Sequence, residues 1–260
     1  MIELIIIGAV VIFVIRHRFY WKARKRDTPP KFMAHRGIKT HYPENSIPAY
    51  QEAVHIGFEA IEMDIVSTKD DQLVCSHNFD LERETSGEGW IHAKSVNYLK
   101  LIKTGIYSHP DNQQSIPTFL EAITQIPRNT FLNIEIKTQT LFDLSTAKCL
   151  KNLINNNQIE QPFMVSSFNP IVVLYYRLFV PSVSVGFILE NIRWLWVLHW
   201  IHPDYFHPRG DLVTGSIVQL SKKHQLPLNV WTVNTHSGIK WCLKHPIQSI
   251  ITDNPRPFYD

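Results

Sequence analysis

The sequence predicts an α/β fold, a (β/α)8 TIM barrel preceded by an N-terminal apolar helix, and three observations carry that prediction. Eight short apolar runs alternate with helix-like stretches from residue 31 onward, the order expected of a parallel sheet with crossover helices. A length of 260 residues suits one barrel of this type. Charged residues gather at or just past the ends of the apolar runs, the end at which such barrels build their sites.

The strand candidates are 31–34, 59–65, 130–136, 163–167, 184–188, 204–207, 228–233 and 249–252. Between them, Ile47–Ile56, Ile116–Gln125, Leu141–Asn155, Val213–Lys223 and Ser237–Lys244 read as helices. A ninth strand-like run, 72–77, follows 59–65 after only Thr68-Lys69-Asp70-Asp71-Gln72. A parallel crossover needs about a dozen residues, so a hairpin turning at Asp70-Asp71 is expected. Such a hairpin returns His77 close to the level of Glu62. Residues 78–115 hold turn material at Ser86-Gly87-Glu88-Gly89 and His109-Pro110-Asp111-Asn112. Ile188–Ile201 carries Trp194, Trp196 and Trp200. A helix packed on the barrel is one reading of it, and a membrane-facing or acyl-chain-binding surface is the other.

The net charge of +3 is unevenly spread. Residues 1–26 hold six basic residues and one acidic residue, Glu3, so the remainder is slightly acidic and nucleic acid is not an expected partner. Leu4–Ile15 is a charge-free apolar run of twelve residues, about 18 Å as a helix. Extension through Phe19, Tyr20 and Trp21 reaches about 30 Å with Arg16 and Arg18 snorkelling. No basic residue precedes the run and no small-residue cleavage site follows it, which argues against a signal peptide. Residues 1–27 are therefore expected to be a membrane-spanning or membrane-dipping anchor with a basic linker, contacting the membrane through residues 1–21. Residues 28–260 form the catalytic domain. Basic residues on the domain side of the run place that domain on the cytoplasmic face of an inner or plasma membrane. Three cysteines, Cys75, Cys149 and Cys242, have no metal-like spacing and are odd in number, which favours a reducing compartment.

Four of the runs carry charge: His35 and Arg36, then Glu62 and Asp64, then His77, then Glu135 and Lys137. Strands rarely bury such groups unless they are paired or bind metal. Glu62 and Asp64 share one strand face, as do Glu135 and Lys137. The carboxylates Glu62, Asp64 and Glu135 suit one hard divalent cation, Ca²⁺ or Mg²⁺; a structural Glu135–Lys137 salt bridge is the alternative. Arg36 and Lys137 are candidate phosphate-binding groups. His35 and His77 are the candidate base and acid, and Phe168 and Trp231 the candidate pocket lining. The other eleven of the thirteen histidines read as packing or surface residues.

The runs Met33-Ala34-His35-Arg36-Gly37 and Pro43-Glu44-Asn45-Ser46 resemble the opening of the glycerophosphodiester phosphodiesterase family. The resemblance continues through Glu62-x-Asp64, Thr68-Lys69-Asp70 to His77, Glu135-Ile136-Lys137 and Ser166-Ser167-Phe168. It ends with Trp231-Thr232-Val233-Asn234 and Ile251-Thr252-Asp253-Asn254-Pro255. It implies a TIM barrel with a small insertion after the second-strand hairpin, residues 78–115, read as a lid over the mouth. It implies metal-dependent hydrolysis of glycerophosphodiesters to an alcohol and glycerol 3-phosphate. One histidine would deprotonate the attacking hydroxyl, which is water or a neighbouring substrate hydroxyl, and the other would protonate the leaving alkoxide; we assign His35 as base and His77 as acid. Glu44 could add a metal oxygen, as in some relatives. Three positions depart from the family pattern: Asn78 where relatives carry aspartate, Asp71 where glycine is common, and Ser46 for threonine. The rival readings are a lysophospholipase D that keeps the acyl chain on its lysophospholipid substrate, a non-catalytic membrane lipid-binding barrel, and a phosphoinositide-cleaving phospholipase C.

Overall fold

A computed structural model of the chain describes residues 2–18 and 28–258. The aromatic stretch Phe19–Trp21 and most of the expected linker lie outside the described residues. Helix α1 (Ile2–Arg18) comes first. The chain then runs β1 (Phe32–His35), α2 (Ile47–His55), β2 (Ala60–Ser67) and β3 (Leu73–Cys75). An insertion follows with α3 (Val96–Leu99), β4 (Lys103–Thr104) and β5 (Gln114–Ser115), and then α4 (Phe119–Thr124) and β6 (Phe131–Ile136). Next come α5 (Ser145–Asn155), β7 (Phe163–Ser167), α6 (Pro170–Phe179), β8 (Val185–Leu189) and α7 (Leu198–Ile201). The chain closes with β9 (Tyr205–Pro208), α8 (Gly215–His224), β10 (Asn229–Val230), α9 (His236–Lys244) and β11 (Ser249–Thr252).

Eight parallel strands lie in the order β10-β11-β1-β2-β6-β7-β8-β9. Parallel bridges Phe206–Leu228 and Arg209–Trp231 join β9 to β10 and complete the TIM barrel. The strands are buried along nearly their whole length because helices cover the outside and side chains fill the inside, as a parallel sheet requires. The register builds the site: His35 pairs with Glu62 across β1 and β2, and Asp64 with Glu135 across β2 and β6. Local chemistry sets the helix starts. Ser46 caps α2, Thr118 and Glu121 form a capping box on α4, and Asn169 caps α6 with Pro170 in its first turn.

The hairpin forms as expected, with Ile65 opposite Cys75 and Ser67 opposite Leu73. Ser76 N donates to Asp64 O at 3.1 Å, which brings His77 back beside the carboxylates. Asp71 at its tip has φ 58°, the left-handed region that a glycine takes without strain and that aspartate tolerates better than most residues. Turn geometry is thus retained despite the departure. Asp71→Gly is expected to raise stability by about 1 kcal/mol, read as a shift in the urea midpoint at unchanged slope.

Four expectations need correction. The run 228–233 is a strand only over Asn229–Val230; beyond it the chain turns to let Asn234 bond the loop after β11. Ile188–Ile201 is not one helix, because the end of β8 is followed by a 3₁₀ turn over Ile192–Val197 and the short α7. Pro170–Phe179, outside the helices named from the sequence, forms α6. Lastly, no helix among the described residues is long and apolar enough to cross a membrane. Helix α1 instead displays its apolar side chains, from Ile2 at 71% exposure to Phe13 at 41%, and meets the barrel where Phe13 lies 5.0 Å from Trp200, ring to ring.

The insertion has a core of its own. Leu81, Ile91, Leu99, Ile102 and Ile116 pack on Val66 and Val74 of the hairpin. His109 Nε2 donates to Lys39 O at 3.0 Å and Asn112 Nδ2 to His41 O at 2.6 Å, tying the insertion to the loop after β1. Fastened on two sides, it walls a hollow that Lys39, Glu44, Asn45 and His77 also border.

Candidate active site

Glu62, Asp64 and Glu135 converge at the C-terminal end of the barrel. One carboxylate oxygen from each lies within 4.8 Å of the others, and the three residues are 2%, 0% and 8% exposed. Asn45 positions Asp64: its Nδ2 donates to Asp64 Oδ2 at 2.8 Å, and its Oδ1 accepts from Asp64 N at 3.1 Å. Tyr50 Oη fixes that amide by donating to Asn45 Oδ1 at 2.8 Å. Among the described residues Glu62 Oε1 and Asp64 Oδ1 have no hydrogen-bond partner. Buried oxygens of this kind are costly unless something else satisfies them, and a hard cation is the natural partner.

Burial, reinforced by the charges of Asp64 and Glu135, holds the Glu62 carboxyl well above the ordinary carboxylate range. Burial also raises Glu135, against the pull of Lys137. Asp64 goes the other way: burial would raise it, but Lys137, Arg36 and His77 bring it down to about 2.

Two cations border it. Lys137 Nζ is 2.9 Å from Glu135 Oε1 and 3.6 Å from Asp64 Oδ1, so the Glu135–Lys137 salt bridge exists, inside the site. Arg36 Nε lies 3.1 Å from Asp64 Oδ2, and Arg36 Nη1 donates to both oxygens of Glu44 at 3.0 Å. Glu44 is thereby held on Arg36, outside the three-carboxylate group. Arg36 has φ 60°, a strained value for a residue with a side chain; it directs the Arg36 N–H onto Glu62 O and Glu62 Oε2, both at 3.1 Å.

His35 and His77 flank the cluster. His35 Nδ1 is 2.7 Å from Asp253 Oδ1, and Asp253 is also held by Lys39 Nζ at 2.8 Å and Asn234 Nδ2 at 2.9 Å. Burial would raise Asp253, but the hydrogen bond and charge of His35, with Lys39, hold it far below the usual carboxylate range. His77 Nδ1 is 3.2 Å from Asn78 Oδ1, so the amide that replaces aspartate still orients the ring. An Nδ1–H donated to that amide oxygen leaves Nε2 as the acceptor. Burial lowers His77 to about 4.

Of these, His35, Arg36, Glu62, His77, Glu135 and Lys137 line one cavity of about 280 Å³, which Phe168 and Trp231 also border. The two rings meet edge to face at 5.4 Å. Ten candidate residues named from the sequence therefore stand at or around this mouth. Others were not anticipated: Asn45, Lys39 and Asp253 as orienting groups, and His207 and Asn133 at the cavity floor. Asp253 was legible, since it follows the last apolar run within a matching motif. His207 was read as packing; it is fully buried and accepts at Nε2 from Asn229 Nδ2 at 3.0 Å. Gly186 makes room for it, as a Cβ there would stand 2.5 Å from His207 Nε2.

The comparisons with known proteins agree with this geometry. Curated relatives include the glycerophosphodiester phosphodiesterase of Bacillus altitudinis, 31% identical, with 86% of this chain and 95% of that protein covered. Another, from Caldanaerobacter subterraneus subsp. tengcongensis, is 29% identical over 86% of this chain and 93% of its own. Among solved structures, a phosphodiesterase of Oleispira antarctica in complex with its product sn-glycerol-3-phosphate superposes with a TM-score of 0.78 at 23% identity. It covers 92% of this chain and 96% of its own, and at that identity it speaks for the fold. The model of the glycerophosphoryl diester phosphodiesterase family matches residues 35–256, a span that starts at the first site histidine and ends just beyond Asp253. With barrel, register and motifs in agreement, the chain belongs to the glycerophosphoryl diester phosphodiesterase family.

Proposed function

We propose that this chain is a divalent-cation-dependent phosphodiesterase that hydrolyses glycerophosphodiesters to an alcohol and glycerol 3-phosphate. One observation carries the reading: three buried carboxylates within 4.8 Å of one another, beside two cations and two histidines in one cavity. Glu62, Asp64 and Glu135 would hold Ca²⁺ or Mg²⁺, which, when bound, offsets phosphate charge and acts as a Lewis acid. Arg36 and Lys137 bind the phosphate oxygens, Arg36 through its planar fork and Lys137 as a point charge. His35 takes the proton of the attacking hydroxyl, and Asp253 stabilises the imidazolium that forms, as a carboxylate does in a catalytic triad. His77 protonates the leaving alkoxide; an anionic phosphate beside it raises its proton affinity from the value that burial imposes. Phe168 and Trp231 line the pocket and shield the bound substrate from water.

The test is alcohol and glycerol 3-phosphate release from a glycerophosphodiester panel by the full-length chain, with EDTA and then with Ca²⁺ or Mg²⁺ restored. Release that stops in EDTA and returns with one cation is expected. Equal release in EDTA, or none with either cation, overturns the reading.

We further propose that α1 dips into one leaflet and holds the domain at the cytoplasmic face of an inner or plasma membrane. Helix α1 has 17 residues, but its charge-free part, Leu4–Ile15, is only about 18 Å long, short of a full hydrocarbon core of about 30 Å. The basic residues after it favour anionic headgroups, at about 1 kcal/mol each. Flotation with phosphatidylglycerol vesicles should carry the full chain but not one lacking residues 1–27.

A further inference from the structure

Beside the catalytic cavity runs a second, larger hollow of about 910 Å³, within the size range of ligand sites. Its walls are apolar: Leu174 of α6, Phe187 of β8 and the tryptophans Trp194, Trp196 and Trp200. The two hollows adjoin, with Phe168, Ile188 and Glu190 bordering both. Trp194 and Trp196 stand on its rim at 57% and 53% exposure, their rings 6.3 Å apart. Trp200 at its base meets Phe13 of α1. On α6, Leu178 and Phe179 add exposures of 59% and 60%. Soluble surfaces rarely gather so much apolar area without a lipid or a partner to cover it, and exposed tryptophans favour the lipid interface.

We infer that this groove receives the acyl chain of a monoacyl glycerophosphodiester, a lysophospholipid, while its phosphate sits at the carboxylate cluster. The inference rests on the phosphodiesterase reading and names the substrate class of the same site. The occupant follows from that shared border: a molecule with its phosphate at Arg36 and Lys137 and its glycerol beside Phe168 would lead an ester-linked chain past Ile188 into the apolar walls. In the net reaction a water oxygen joins phosphorus and the bond from phosphorus to the head-group oxygen breaks. One water proton goes to that leaving oxygen. The products are the head-group alcohol and an acylglycerol 3-phosphate, and no redox partner is needed.

The experiment uses the full-length chain on phosphatidylglycerol vesicles with the activating cation. It compares glycerophosphocholine with lysophosphatidylcholines from hexanoyl to dodecanoyl, for the unaltered chain and for Trp194→Ser with Trp196→Ser together. For the unaltered chain, kcat/KM should rise about two- to fourfold per added methylene. In the double variant the ratio of acylated to deacylated turnover should fall about tenfold or more, with glycerophosphocholine turnover unchanged. Partitioning into the vesicles is common to both proteins and cancels in that comparison. Turnover of glycerophosphocholine with no gain from the acyl chain, or a ratio the variant leaves unaltered, overturns the groove while the phosphodiesterase reading stands. Loss of both activities by the unaltered chain removes the phosphodiesterase reading and this one with it. If the double variant fails to fold, the acyl-length series on the unaltered chain is run without vesicles and below the micelle concentration of each lysophospholipid, where a flat series overturns the groove and a rise per methylene supports it.

Discussion

Replacing Glu62 with glutamine is expected to lower kcat on the order of 10³-fold and yet to make the cation-free protein more stable at neutral pH. The two effects share one cause. Glu62 is buried beside two other carboxylates, which holds its carboxyl well above its ordinary 4.5. A group raised in the folded state contributes stability below its unfolded value and loses it as pH climbs through the folded value. Glu62, and Glu135 with it, therefore weigh against folding progressively above pH 4.5. Asp64, lowered to about 2, has the opposite sign: its contribution is present above 3.8 and is lost only as pH falls through about 2. Glutamine keeps the shape and removes the charge. In EDTA the variant should unfold at a higher temperature than the unaltered chain, by a margin that grows from pH 5 to pH 8 and vanishes below pH 4.5.

A bound cation is expected to reverse that order. It binds the deprotonated carboxylates of the folded chain only, so a concentration near a hundred times its dissociation constant adds about 2.7 kcal/mol, or roughly 5–10 °C for a domain of this size. Glu62→Gln should show little of that gain. A melting temperature in EDTA at pH 8 that is lower for the variant, or an equal cation shift in both proteins, would sink the assignment of this cluster as a cation site. The site sacrifices stability for function.

The barrel was legible because its strands are apolar runs that alternate with helix-like stretches, and four of the runs carry charge. His35, Glu62, Glu135 and Lys137 interrupt hydrophobic periodicity where only a site tolerates them, and their spacing by two fixes their faces. What escaped was whatever depends on a third dimension. Asn45 touches Asp64 from a loop nineteen residues away, a spacing that leaves no periodic trace; Asp253 was legible at the end of its strand, but its hold on His35, across 218 residues, was not. His207 lies in an apolar run like any packing histidine, and only the absence of a side chain at Gly186 admits it to the cavity floor. The Trp194–Trp200 segment shows why composition alone cannot set conformation: its hydrophobicity fits a long helix, whereas the chain forms a 3₁₀ turn and a single helical turn that open the groove. The run Leu4–Ile15 was legible as apolar, and among the described residues no helix is long and apolar enough to cross a membrane.

Replacing either site histidine with alanine should cost about 10²–10⁴-fold in kcat, and the leaving group separates their roles. On a substrate whose alcohol is p-nitrophenol, the departing oxygen is stable without a proton, so a general acid has little left to contribute. His77→Ala should then recover most of the activity it lacks on glycerophosphocholine. His35→Ala should remain impaired on both substrates, because the attacking hydroxyl must lose its proton whichever group leaves. Asp253→Asn should fall between: the amide can still meet Nδ1, 2.7 Å away in the unaltered chain, but it no longer stabilises an imidazolium, so kcat drops with KM little changed. Rescue of His35→Ala in place of His77→Ala would exchange the two assignments. That result would fit a neutral His77, lowered to about 4 by burial, serving as the base. Equal deficits of both variants on both substrates would mean that neither histidine carries the leaving-group proton.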